Sequence, residues 1–180
     1  GALRFSIETR EGEPLLGISG MYNIPVSEQL AFRFVADGDY GNSFINITDP
    51  AVADDRDEIE DIRNGTFRAK AIYRPLAVPG LEVVLSYEHA RKDYLGSNEA
   101  DIGSNNFELT NFADNSSETR LEQDIFSLRT SYDLSPAWTL EGRLSYTDLL
   151  TEIPNTNVNF DLAQDFQNTQ AEFLARYEGS

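Results

Sequence analysis

Hydrophobic residues recur at every second position through most of this chain, the mark of β-strands with two unlike faces. Leu3, Phe5 and Ile7 alternate with Arg4, Ser6 and Glu8. Leu30, Phe32, Phe34 and Ala36 alternate with Ala31, Arg33, Val35 and Asp37, and Phe67, Ala69, Ala71 and Tyr73 with Arg68, Lys70, Ile72 and Arg74. Leu81, Val83, Leu85 and Tyr87 face away from Glu82, Val84, Ser86 and Glu88. Phe126 to Tyr132, Trp138 to Tyr146 and Ala171 to Tyr177 repeat the pattern, whereas around Leu16 to Tyr22 the second face is small rather than charged. The alternation predicts eight strands, at about 3–10, 14–22, 30–37, 66–74, 81–90, 124–133, 138–147 and 169–177.

The strand ends are of two kinds. Tyr22 precedes Asn23-Ile24-Pro25, Tyr73 precedes Arg74-Pro75, Tyr132 precedes Asp133-Leu134-Ser135-Pro136, and Tyr177 precedes the last three residues. The other ends open into long stretches rich in Asn, Asp, Ser and Thr, at 38–62, 91–122 and 148–167, which read as ligand-facing outer loops. Short turns on one side, long loops on the other and a tyrosine at the short-turn end describe the wall of an outer-membrane β-barrel. A soluble β-sandwich shows the same alternation. Runs of about 9–11 residues suit a tilted crossing of a bilayer, however, whereas soluble strands average about 5–6. The apolar face would then meet lipid and the mixed-charge face would line the interior. Tyr22, Tyr73, Tyr132, Tyr177 and Trp138 would form an aromatic girdle at one interface.

Composition narrows the picture further. A chain of 180 residues with 40% hydrophobic content suits one domain, here 1–180, and no apolar run approaches the length of a transmembrane helix. There is no cysteine to form a disulfide or a thiolate metal site. The net charge of -17 argues against nucleic acid as a partner. Much of it falls in Gly38–Ile62, where Asp49 to Asp61 offers carboxylates to calcium but lacks the spacing of a helix-loop-helix calcium site. Gly1-Ala2-Leu3-Arg4 begins directly in a strand pattern and Gly179-Ser180 falls where a turn is due, so a segment of a longer protein is expected.

Catalytic patterns are lacking. His89 is the lone histidine, and no Ser-His-Asp arrangement, phosphate-binding loop or dinucleotide turn occurs, so neither enzymatic activity nor a cofactor is expected. The interior face supplies Arg33, Arg68, Arg129 and Arg143 as candidate lumenal ligand contacts, able to grip carboxylates or phosphates bidentately. Asp37, Glu82, Glu88 and Glu141 are expected to neutralise them, which makes a structural role in the wall the leading expectation. Phe107, Phe112, Phe160 and Phe166 stand as apolar exceptions in the long loops.

The stretch Gly20-Met21-Tyr22-Asn23-Ile24-Pro25-Val26-Ser27-Glu28-Gln29-Leu30-Ala31-Phe32-Arg33 resembles the early barrel of TonB-dependent outer-membrane receptors. Asp39-Tyr40-Gly41-Asn42 is similar to that family's strand exit, and Arg63-Asn64-Gly65-Thr66-Phe67-Arg68-Ala69-Lys70 with Arg74-Pro75 to its next strand and turn. The likeness covers about Leu3–His89 and is only a general barrel pattern beyond. It implies a 22-stranded, plugged barrel of which this chain supplies about the first eight strands. It further implies the outer membrane of a Gram-negative bacterium, uptake of a large scarce solute such as a siderophore, vitamin or glycan, and coupling to TonB through the plug. The implied partners are lipid and the rest of the same barrel. The chain shows no plug, no TonB-contacting box and no final strand ending in an aromatic, so no ligand residue of the family is carried over. A complete eight-stranded barrel, or a porin or adhesin without energy coupling, is the competing expectation.

Overall fold

The computed structural model describes residues 1–10, 13–42, 46–47, 61–97, 108–109, 116–153 and 162–178. They form β1 (Ala2–Arg10), β2 (Glu13–Pro25), β3 (Leu30–Asn42), β4 (Asn46–Ile47), β5 (Asp61–Tyr73), β6 (Leu81–Ser97), β7 (Glu108–Leu109), β8 (Ser116–Ser135), β9 (Trp138–Ile153) and β10 (Leu162–Tyr177). Eight of these make one antiparallel sheet in the order β1-β2-β3-β5-β6-β8-β9-β10, while β4 and β7 pair with each other in parallel. In the sheet β1 pairs only with β2 and β10 only with β9, so it is open along both edges.

The strands outrun the hydrophobic alternation that announces them. β3 continues to Asn42, β6 to Ser97 and β9 to Ile153, while β5 starts at Asp61, β8 at Ser116 and β10 at Leu162. The stretches 38–62, 91–122 and 148–167 are therefore in good part strand, which corrects their reading as loops. The cause is that hydrophobic and polar residues no longer alternate there, with both faces mostly polar on β3, β6 and β8 and the adjacent Leu149-Leu150 on β9, so period two vanishes while the backbone ladder goes on. Phe166 belongs to β10, opposite Leu149. Residues 48–60 of the acidic run, with Phe107, Phe112 and Phe160, lie outside the described residues.

This sheet has almost no core of its own. Among the described residues only Leu15, Val84 and Ala90 are buried hydrophobics, whereas Phe5 is 69%, Ile7 77% and Phe173 87% exposed. The mixed-charge face carries the two largest hollows described, of about 890 and 780 Å³. One reaches from Lys70 on β5 to Glu172 on β10 and the other from Asn23 on β2 to Ser127 on β8. A hollow spanning five strands requires the sheet to curl, so the polar face is concave and the apolar face convex. On the convex side Phe32, Phe34, Phe67, Tyr87 and Phe126 form a continuous aromatic ribbon, with successive ring centroids 4.7 to 6.4 Å apart.

The convex apolar surface is a belt, and it crosses the hydrogen-bonded rows on a slant. On β2 it runs from Leu16 to Tyr22, on β5 from Phe67 to Tyr73, and on β8 from Phe126 to Tyr132. Its lower edge passes from Tyr22, in register with Phe34, to Tyr73, in register with Leu30. It continues to Tyr132, opposite Leu81, and ends at Tyr177, opposite Trp138. That is a drop of about eight residues over about six strand steps, and the upper edge falls in parallel as far as β8. With a rise of about 3.3 Å per residue and a spacing of about 4.8 Å between strands, the strands lie roughly 40° from the normal to the belt. At that tilt the belt covers about 17 Å of height, and the exposed turn residues Val26, Leu76, Val78 and Leu134 add apolar surface at its lower rim.

The short turns tie that rim together. Ser27 Oγ accepts the Gln29 and Leu30 N–H groups, and the Gln29 carbonyl accepts Arg74 N–H at 2.8 Å from the next turn. Gly80 is forced by geometry: its φ is 84° and an added Cβ would lie 3.0 Å from the Asp133 carbonyl oxygen. The Gly80 carbonyl in turn accepts Asp133 N–H, joining this turn to β8.

Candidate functional site on the concave face

Strand register decides which interior side chains meet. Arg33 stands opposite Lys70, and the same row continues through Ser86, Ser127, Ser145 and Gln170. The row below it runs Ala31, Ile72, Val84, Arg129, Arg143 and Glu172. Both rows place like charges directly across from each other, Arg33 against Lys70 and Arg129 against Arg143. Such pairs destabilise a sheet unless something negative intervenes.

The four candidate arginines divide accordingly. Arg68 is paired with Glu88 at 2.9 Å, directly across β5 and β6. Arg129 reaches Glu82 at 3.2 Å, and Arg74 binds the same carboxylate at 2.6 Å from the turn. Arg143 lies 3.8 Å from Glu172, a looser contact, while Glu141 is taken by Arg176 at 3.4 Å. Arg33 differs. Among the described residues no carboxylate lies within ion-pair distance of Arg33 or Lys70. Asp37, one of the carboxylates expected to neutralise these cations, is opposite Ser19 and Thr66, two rows up the same strand as Arg33. Residues four apart along a strand are about 13 Å apart, too far for a salt bridge. Of the carboxylates expected to neutralise the arginines, Glu88 thus reaches Arg68 and Glu82 reaches Arg129, whereas Arg143 meets Glu172 instead and Arg33 meets none among the described residues.

A second polar cluster, which the alternation did not announce, lies on the convex face above the belt. The Tyr87 hydroxyl donates to Asp124 at 2.7 Å, and His89 Nδ1 sits 3.1 Å from the same oxygen. The Tyr146 hydroxyl donates to Asp148 at 3.2 Å. Higher still, Asp93 is buried between Arg91 at 3.2 Å and Arg120 at 3.4 Å; Arg91 also contacts Glu122 and Arg120 contacts Glu152. The signal was present as a continuation: His89, Arg91 and Asp93 keep the parity of Leu81 to Tyr87, and Asp124, Glu122 and Arg120 that of Phe126 to Tyr132. The donated Tyr87 hydroxyl, with His89, holds the Asp124 carboxyl below the ordinary aspartate range, against the opposing effect of partial burial. His89 is thus placed at the belt's upper edge, and no cluster of three metal-ligating side chains occurs among the described residues.

The chain matches no family model, no curated protein and no solved structure. The likeness to TonB-dependent receptors therefore rests on the quoted residues alone. What the concave face offers chemically is cationic and hydroxyl hydrogen-bond donors around two hollows, equipment for holding an anion.

Proposed function

We propose that this chain is a wall segment of a Gram-negative outer-membrane β-barrel that imports a large scarce solute, in the manner of TonB-dependent transporters. The observation that carries the reading is the slanted belt: an exposed apolar band edged by tyrosines, crossed by strands at the tilt of membrane barrels. Transferring one of its large apolar side chains out of water contributes about 1.5–3 kcal/mol, so the belt has its natural solvent in lipid. The tyrosine rings of its lower edge then sit at one headgroup level. The open edges fit the same reading, because lipid does not satisfy the free backbone groups of β1 and β10 and the rest of a larger barrel does. In this proposal the chain contributes wall and part of a vestibule, without catalysis. A plug within the lumen, belonging to the same parent protein, couples it to TonB.

The absence of cysteine from the chain suits a direct test by single nitroxide labels in the full-length protein, reconstituted in liposomes. Labels at Leu85 and Phe173 are expected to collide with oxygen dissolved in the bilayer, and labels at Ser86 and Arg143 with a water-soluble nickel chelate. Water access at all four positions would overturn the membrane reading. Solute uptake that stops when the inner-membrane proton gradient is collapsed supports energy coupling; uptake indifferent to it assigns a passive porin.

A further inference from the structure

We infer that Arg33 and Lys70 form the centre of a binding site for a small, multiply charged anion bearing carboxylate or phosphate groups. The inference stands on strand register and charge, and does not rest on the transport reading. Three observations converge on it. The two cations are direct cross-strand neighbours, and among the described residues neither has a carboxylate within ion-pair distance, although acidic residues outnumber basic ones 31 to 14 in the chain. Glu88, one row above, is already engaged by Arg68. Lys70 also lines both hollows, of about 890 and 780 Å³, volumes that suit a small-molecule ligand.

The surroundings match that chemistry. Beyond Lys70 the row continues as Ser86, Ser127 and Ser145, side chains short enough to leave the hollow open and each able to donate a hydrogen bond. Arg129 and Arg143 border the same hollow, with Glu172 as its one lining carboxylate, so its charge is net positive in a chain of net charge -17. Cross-strand neighbours hold their Cβ atoms about 4.5–5.5 Å apart, a span that two carboxylates of one small molecule bridge. A charge-assisted hydrogen bond to each cation replaces their mutual repulsion with attraction.

Citrate and inorganic phosphate are the probes, titrated calorimetrically into the full-length protein in detergent at fixed ionic strength. Both are expected to bind, and Arg33→Gln with Lys70→Gln to weaken binding at least tenfold. The charge-keeping pair Arg33→Lys with Lys70→Arg should stay within threefold of the wild type. Lys70→Gln alone carries the test should the double variant fail to fold. Unchanged affinity in the neutralised variants overturns the site. Absence of binding to the wild type also overturns it, and if neutralisation then exposes a buried segment to protease, the counter-anion is a carboxylate of the polypeptide itself.

Discussion

On the convex face of β6 and β8, one ladder passes through two chemical zones. From Leu81 to Tyr87 and from Phe126 to Tyr132 the side chains are mainly apolar, and many are exposed. From His89 to Asp93 and from Arg120 to Asp124, with the register unbroken, they are polar or charged and paired with one another. The backbone does not register the change. Inter-strand hydrogen bonds supply the strand, and the side chains only choose the solvent it faces. Below Tyr87 nothing among the described residues covers the outward side chains; above it the chain supplies its own partners.

The sharpest way to break that contrast is to carry the chemistry of one zone into the other. Leu85 lies in the middle of the belt, in the row of Phe32, Ala71, Leu128 and Leu144. An arginine at the midplane of a membrane barrel costs about 2–4 kcal/mol, falling towards the interfaces. Leu85→Arg is therefore expected to lower the unfolding free energy in lipid by that amount, whereas His89→Arg, four residues on, should change it by less than about 1 kcal/mol. Denaturant unfolding of the full-length protein in liposomes measures both. Equal effects at the two positions would erase the distinction between zones.

The upper zone has its own weak point. Asp93 is 4% exposed and lies between two guanidinium groups, so among the described residues of this zone it is where charge is both desolvated and compensated. Asp93→Asn leaves Arg91 and Arg120 facing each other with one negative charge fewer. Losing a hydrogen-bonded partner to a charged group costs about 1.5–3 kcal/mol, so a loss of about 2 kcal/mol is expected. Because the defect lies above the belt, faster amide exchange should appear in the upper halves of β6 and β8 and leave Leu85 and Leu128 protected. Uniform loosening along the whole strands would show that the zones are not mechanically separate.

How much of this was legible beforehand follows the same division. In the belt, hydrophobic and polar residues alternate, and the eight strands, their turn-end tyrosines and their two faces could be read from the chain. Above the belt both faces are polar and the strand signal disappears, which is why β6 beyond Ala90 and β8 before Asp124 looked like loop. The lumenal arginines were visible as residues but not as partners. Pairing depends on register, and register is fixed by backbone hydrogen bonds that one strand's composition does not reveal. Arg68 with Glu88 followed the expectation, whereas Arg33 did not, and that difference separates a wall contact from a candidate site.

The smallest expected effect lies on the boundary between the zones. Asp124 accepts from Tyr87, sits beside His89 and faces Asp148 across β9. Its carboxyl is held below the ordinary aspartate value, so the folded state binds its proton less readily than the unfolded chain does. The stability it contributes is complete above about pH 4 and is lost as pH falls through the lowered folded value. With 31 acidic residues in the chain, many carboxylates titrate in that range, so the informative quantity is a difference. Thermal unfolding of the wild type and of Asp124→Asn should differ by a constant amount from pH 7 to pH 5. The two curves should then converge below about pH 4, because the substituted chain has no carboxyl there to protonate. A gap that stayed constant into acid would mean that Tyr87 and His89 do not favour the charged form. The edge of the belt would then be held by ring packing between Tyr87 and Phe126, whose centroids are 4.7 Å apart, rather than by the hydroxyl above them.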